Sequence, residues 1–358
     1  MFVNNKNYRT VWMKDSSVYM INQQLLPHKF EIYQSKNYLE TANAIKTMIV
    51  RGAPAIGATG AYGLAQAALE FKGKDFENFK GHIEKAEKIL KSARPTANDL
   101  FYAIDFVKNS LLKSNNIKKN PVNIANEYAD WSVELCRKIG EHGNKLIKNN
   151  QNILTHCNAG ALACVDFGTA LAPIRIAHYN KKNVFVYVNE TRPRNQGTSL
   201  TAWELGQEKI SHAIIADNAA GFFMKNKKID FAIVGADRIA MNGDVANKIG
   251  TYEKAVLAKE NKIPFYVAAP LSTFDVKSKS GEDIPIEERH EDELLYIHGI
   301  DENNRIKRIR IAPKESSAKN PAFDVTPAKY ITGIITEKGI ISPVKEEIER
   351  FVKSQHAH

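Results

Sequence analysis

From residue 150 onward the chain alternates short apolar runs with helix-length segments, and few architectures accept that rhythm. The runs occupy residues 153–155, 184–188, 213–216, 231–234 and 265–269, each bounded by turn-forming residues. Between them, residues 162–179, 201–209, 218–225 and 250–260 read as helices. Short continuous apolar strands separated by helices predict a parallel sheet covered on both faces. Right-handed crossovers then bring consecutive strand ends to one rim. The fold class expected is therefore α/β, with a Rossmann-like C-terminal domain at residues 148–358 that lacks a dinucleotide fingerprint.

Residues 1–147 read differently, as a mainly helical N-terminal domain with a small β-rich start. Residues 11–20 alternate as a strand pair would, with Lys14-Asp15-Ser16-Ser17 as the turn. Thr41 opens a helical stretch to Ile49, and residues 57–71, 79–90, 97–112 and 124–147 continue as helices. Internal repeats and low-complexity segments are absent from the sequence.

Bulk properties exclude several classes. No apolar run approaches the roughly 20 residues needed to span a bilayer, and no hydrophobic signal segment opens the chain. Cys136, Cys157 and Cys164 show no CxxC spacing, so neither a disulfide framework nor a structural zinc site is indicated. A cytoplasmic enzyme is the simplest expectation. The net charge of +10 is spread over short clusters such as Lys181-Lys182, without the interleaved aromatics of a nucleic-acid platform. A solvated, high-pI surface is the preferred reading.

The chemistry-bearing segments cluster at expected strand ends and helix starts. Thr155-His156-Cys157-Asn158-Ala159-Gly160-Ala161 and Val234-Gly235-Ala236-Asp237-Arg238-Ile239-Ala240 each follow an apolar run, which puts Cys157 and Asp237 where open α/β sheets bind ligands. A thiol and a carboxylic acid facing one cavity can move protons on a small molecule. Cys157 before a helix at Ala161 would have its thiolate favoured by the helix N-terminus; an apolar pocket around Asp237 would keep it an acid. The structural alternatives are a buried cysteine and an Asp237–Arg238 ion pair. Cys164 reads as core.

Arg51-Gly52-Ala53-Pro54 introduces a helix rich in small residues, fit either for an anion at a helix N-terminus or for close helix packing. Packing explains Gly60 and Gly63 better. Arg94 lies in a polar break where Thr96 could cap the next helix, and a solvated turn is the plainer reading. The Asn189-Glu190-Thr191-Arg192-Pro193-Arg194-Asn195-Gln196-Gly197 loop offers arginines for phosphate or for Glu190, and Gln196 for a sugar hydroxyl. Asn247 and Lys248 precede another helix start at Gly250-Thr251 and suit phosphate or hydroxyl binding. No motif resembles a metal cage.

Together these segments resemble the S-methyl-5-thioribose-1-phosphate isomerase family of methionine salvage, a relative of the initiation factor 2B regulatory subunits. The resemblance runs over nearly the whole chain, through Val50-Arg51-Gly52-Ala53-Pro54-Ala55-Ile56-Gly57, the Cys157 and Asp237 segments, Glu190-Thr191-Arg192-Pro193-Arg194 and Asn242-Gly243-Asp244-Val245-Ala246-Asn247-Lys248-Ile249-Gly250-Thr251-Tyr252. It implies that Cys157 and Asp237 are the catalytic pair. It also implies that Arg51, Gly52, Ala53, Arg94, Gln196, Asn247 and Lys248 bind substrate. The expected protein is a homodimer acting on a small-molecule sugar phosphate, without metal or organic cofactor, nucleic acid or membrane. Ala93 departs from the pattern, standing where a hydroxyl residue is expected. Isomerases of 5-deoxyribose 1-phosphate or ribose 1,5-bisphosphate, and a non-catalytic regulatory subunit, are the alternatives.

Overall fold

The computed structural model describes residues 1–95, 97–113 and 120–353. It falls into two compact units, residues 1–138 with 159–171, and residues 139–158 with 172–358.

In the first unit, strands Val11–Lys14, Ser17–Ile21 and Ile32–Ser35 form an antiparallel sheet, as the 11–20 pattern predicts. The helix Tyr38–Lys46 begins earlier than expected because Asn37 caps it, its side chain accepting the Glu40 N–H at 2.9 Å. Ala53–Glu70 likewise begins ahead of Gly57, with Pro54 in its first turn. Helices Phe76–Ser92, Asn98–Leu112 and Pro121–Asn144 follow. Thr96, the expected cap, lies outside the described residues; Ala97 holds the N-cap position with no side-chain bond.

The core of this unit gathers Ile56, Tyr62, Leu64, Phe79, Ile83, Leu90, Leu100 and Ile104. Gly60 is packed under Leu100 and Gly63 under Leu90, as the packing reading holds. Ala93 is buried in the same core, so the missing hydroxyl is replaced by apolar contact.

One expected helix is shorter than its apolar pattern. Residues 161–163 form a single 3₁₀ turn, and the α-helix spans only Leu171–Tyr179. The carbonyls of Ala161, Leu162 and Val165 instead accept from Thr10 Oγ1 (2.6 Å), Gln23 Nε2 (2.8 Å) and Thr10 N (2.9 Å). Backbone groups engaged by other segments cannot also supply a helical ladder.

The second unit is built on a seven-stranded sheet. In spatial order its strands are Gly339–Ile341, Gly333–Thr336, Phe265–Ala268, Phe231–Val234, Gln151–Thr155, Val184–Asn189 and His212–Ile215. All neighbours are parallel except the Gly339–Ile341 edge. Gln151–Thr155, first in the chain, lies in the interior. The next two strands build outward on one side of it and the later ones on the other. The α/β class and the Rossmann-like arrangement are thus as expected. A second sheet orders Phe274–Asp275, Arg238–Ala240, Val245–Lys248 and Phe323–Thr326, and Tyr296–Ile300 pairs with Ile306–Arg310 in a hairpin. Among the described residues no helix is long and apolar enough to cross a membrane.

Candidate functional site

The winding direction of the seven-stranded sheet reverses between Gln151–Thr155 and Phe231–Val234, which pair through Ile153↔Phe231 and Leu154↔Ala232. Ligands of open α/β sheets bind at the carboxyl side of such a switch point. Cys157 follows the first of these strands by two residues and Asp237 follows the second by three. Cys157 is partly exposed and Asp237 is exposed.

Cys157 is held through its backbone. Its N–H donates to Thr191 Oγ1 at 2.8 Å, and its carbonyl accepts from Thr201 Oγ1 at 2.6 Å. The next residue, Asn158, donates to Thr201 Oγ1 (3.1 Å) and Glu204 Oε1 (2.8 Å). Because Ala161–Ala163 is one 3₁₀ turn, the α-helix expected to start there and favour the thiolate does not form, and that expectation is corrected. The positive charge near the sulfur comes from a side chain instead.

That side chain is Lys248, buried at the end of the strand Val245–Lys248. Burial pushes its ammonium below the usual lysine range; the charges of Cys157, Glu293 and Asp237 draw it up, and Arg289 draws it down. Cys157 and Asp237 therefore each lie within electrostatic reach of Lys248, in one unit. Asn247 donates to Thr251 Oγ1 at 2.9 Å, and Thr251 Oγ1 donates to the Lys248 carbonyl at 2.6 Å, fixing the turn that presents the lysine. Asp324 caps the helix that follows, accepting from Gly250 N at 2.7 Å and Tyr252 N at 3.1 Å. Burial lifts its carboxyl to about 6 against those two bonds.

Asp237 departs from its expected surroundings. Its N–H donates to the Ala246 carbonyl at 3.0 Å, which ties it to the Lys248 strand. Being exposed, it has no apolar enclosure. Arg238 pairs with Asp275 at 3.2 Å.

The 189–197 loop carries Gln196, whose buried Oε1 has no partner among the described residues. Gly197 is dictated by packing, since a Cβ there would lie 1.7 Å from the Asn189 carbonyl oxygen. The loop's arginines are engaged structurally rather than with Glu190: Arg192 Nη2 donates to the Leu294 carbonyl at 3.0 Å, and Arg194 Nη1 to Glu293 Oε1 at 3.0 Å. Burial pushes the Glu293 carboxyl up, but Arg194 and Arg289 outweigh it and hold the group below the usual range. Sequence reasoning missed Arg289 and Glu293, which sit in a charged run that looks like ordinary surface. His156, also passed over, is buried and bonded to the Ile249 carbonyl.

The remaining candidates belong to the first unit. Gly52 caps the helix Ala53–Glu70 with φ +97°, and a Cβ there would meet Ala163 Cα and O at 2.4 Å. The position is restricted to glycine by conformation and by space. Arg51 and Ala53, partly exposed, flank it at the helix start, where backbone N–H groups are free of the helical ladder. Arg94 is partly exposed in the turn after Phe76–Ser92 and accepts the Ala97 N–H on its carbonyl at 3.1 Å. Among the described residues no three His, Cys, Asp or Glu side chains converge as a metal cage.

The initiation factor 2 subunit family matches residues 49–343. A methylthioribose-1-phosphate isomerase of Acetivibrio thermocellus is 53% identical over 333 residues, covering 92% of this chain and 95% of that protein. One of Thermoanaerobacter sp. is 48% identical, with 96% and 98% covered. Among solved structures, 5-methylthioribose 1-phosphate isomerase from Pyrococcus horikoshii OT3 superposes with a TM-score of 0.88 at 45% identity, covering 98% of this chain and 97% of that one. A translation initiation factor eIF-2B delta subunit from A. fulgidus does so at 0.85 and 42% identity, covering 97% and 100%. The chain therefore belongs to the initiation factor 2 subunit family, among its methylthioribose-1-phosphate isomerases.

Proposed function

We propose that this chain is an aldose–ketose isomerase of methionine salvage, converting S-methyl-5-thio-α-D-ribose 1-phosphate to S-methyl-5-thio-D-ribulose 1-phosphate. The observation that carries the reading is the convergence of Cys157, Asp237 and Lys248 at the topological switch point. The relatives' shared activity supports the same substrate.

The substrate imposes a particular demand. Its anomeric oxygen carries phosphate, so no free aldehyde forms while that ester persists. In the proposed sequence the bound sugar covers Asp237, which is exposed without it, and so keeps its carboxyl protonated; the acid donates to the ring oxygen as the C1–O ring bond breaks. The Cys157 thiolate, beside the Lys248 ammonium, takes the C2 proton to give an enol and returns it at C1, while the Asp237 carboxylate recovers the C2 hydroxyl proton, leaving a ketone at C2. In the rival path the C2 hydrogen moves to C1 as hydride while the Asp237 carboxylate takes the C2 hydroxyl proton, and Cys157 only stabilises the transition state. Gln196 and Asn247 bind sugar hydroxyls, and Lys248 binds phosphate. The family resemblance adds Arg51, Gly52, Ala53 and Arg94 as substrate contacts.

The protein is further read as a cytoplasmic homodimer that binds neither nucleic acid nor membrane. The dimer follows from the family resemblance, and the compartment accords with three free cysteines. Its two-domain reading, with residues 1–147 helical and 148–358 catalytic, also follows the sequence pattern.

The deciding experiment measures product from S-methyl-5-thioribose 1-phosphate with the parent, Cys157→Ala and Asp237→Asn. Turnover by the parent, lost in both folded variants, is the expected result. A folded parent without turnover on the 5-methylthio, 5-deoxy and 5-phospho substrates would refute the isomerase reading in favour of a regulatory subunit.

A further inference from the structure

We infer that Thr191 and Thr201 are positioning residues that fix the Cys157 thiol through its two flanking peptide groups, an inference that rests on the catalytic reading of Cys157.

The starting point is a pair of unusual backbone conformations. Cys157 has φ +63° and Thr191 has φ +67°, both in the left-handed region, and neither is glycine. For a β-branched residue such as Thr191 this is a true outlier. Strained residues persist only where their surroundings over-determine them, and they gather at functional sites. A turn that merely closed the fold would accept glycine at both positions without strain. Here the two strained residues are joined directly, through the 2.8 Å bond from Cys157 N to Thr191 Oγ1.

The polarity of the surrounding bonds is fixed. Thr191 Oγ1 spends its single proton on the Asn189 carbonyl at 2.9 Å, so only a lone pair is left for the cysteine N–H. Thr191 is itself restrained by Asp217, whose carboxylate accepts from Thr191 N (2.8 Å) and Arg192 N (2.7 Å). On the other side, Thr201 Oγ1 donates to the Cys157 carbonyl and accepts from Asn158 Nδ2. Both threonines are completely buried. With the peptides before and after Cys157 held by hydroxyls from two different elements, the thiol has only its own side-chain torsion left.

The arrangement also has reach. Thr191 lies in the loop that carries Gln196, and Thr201 ends the π-helical turn Gly197–Thr201 that follows. The same hydroxyls that seat the thiol thus tie it to the loop proposed to bind the sugar. A shift of either hydroxyl would misplace the sulfur relative to the reacting carbon, which lowers turnover more than binding.

The test uses near-isosteric pairs. Thr191→Val and Thr201→Val remove a hydroxyl and keep the shape; Thr191→Ser and Thr201→Ser keep the hydroxyl and remove a methyl. Two readouts are taken: kcat and KM on S-methyl-5-thioribose 1-phosphate, and the iodoacetamide alkylation rate of Cys157, followed by mass spectrometry. The valine variants are expected to lower kcat by about tenfold or more with KM within about threefold, and to change the alkylation rate several-fold, while the serine variants stay near the parent. Valine variants within about twofold of the parent in kcat, or serine variants as impaired as the valines, would overturn the inference. If one valine variant does not fold, the other valine variant and both serine variants decide on the same criteria. Alkylation needs no turnover, so a hydroxyl-dependent thiol in a protein without isomerase activity would uphold the positioning role and refute the proposed function.

Discussion

His156 Nε2 lies 2.8 Å from the carbonyl oxygen of Ile249, and because a carbonyl only accepts, the bond fixes the proton on Nε2. Burial, with the Lys254 charge beside it, pushes the imidazole down to about 4. The ring next to Cys157 in the chain is therefore neutral near pH 7, and its 3.8 Å approach to Asp217 is not an ion pair there.

This has a consequence for stability against pH. On acidification the unfolded chain protonates His156 near 6.5 while the folded chain resists until about 4. The unfolded state then binds more protons, so a contribution present above 6.5 is lost as pH falls, on the order of 3 kcal/mol in all. Asp324 acts in the opposite sense. Its carboxyl, raised to about 6, contributes stability at low pH that is lost as pH rises through that value. His156→Gln keeps an N–H for Ile249 but cannot titrate. Its melting temperature should fall less than the parent's between pH 7 and 5, and parallel curves would contradict the assignment.

Lys248 gives a catalytic pH prediction. Its ammonium is held below the usual lysine range, so it discharges at lower pH than an exposed lysine as the solution turns alkaline. The alkaline fall of kcat/KM should reflect that loss. Lys248→Met should raise KM about tenfold or more and remove this limb. An unchanged limb in the variant would assign the titration elsewhere.

Gly52→Ala should be severe. The added Cβ would lie 2.4 Å from Ala163 Cα and O, at a φ of +97°. Left-handed strain plus overpacking suggests a loss of about 3 kcal/mol or more, read as a lower midpoint in urea denaturation. A midpoint equal to the parent's would refute the steric account.

The Arg175–Glu208 pair, neither member a proposed site residue, gives a structural control. Glu208 is buried and accepts from Arg175 Nη2 at 2.8 Å and Tyr179 OH at 2.6 Å. Burial, above all, raises the Tyr179 hydroxyl to about 12, so it serves as a donor throughout the working range. Glu208→Gln removes a buried negative charge facing the Arg175 guanidinium and should cost about 3 kcal/mol, with kcat of the folded protein unchanged. A lowered kcat at equal stability would show that the pair reaches the site.

The sequence disclosed what periodicity and strand ends encode. The apolar runs fixed the parallel sheet, and the residues just beyond two of them proved to flank its switch point. Helix starts at Asn37 and Pro54 were signalled but read too late, because capping precedes the apolar pattern. The 162–179 stretch misled because an apolar pattern does not reveal which carbonyls Thr10 and Gln23 will claim. The Val245–Lys248 strand was hidden as well: its two polar residues, Asn247 and Lys248, are both buried. Glu293 and Arg289 were invisible for a further reason, since only tertiary folding separates a part-buried ion cluster from a solvated charge run.

The reversal of strand order works as a fixed caliper. Cys157 and Asp237 each emerge within three residues of adjoining strands, whose spacing is set by the backbone pairing of Ile153 with Phe231 and Leu154 with Ala232. Helices covering the sheet can lengthen, shorten or change their surface without altering the spacing of these two strand ends. Mutational drift in those coverings is therefore mechanically insulated from the places where Cys157 and Asp237 leave the sheet.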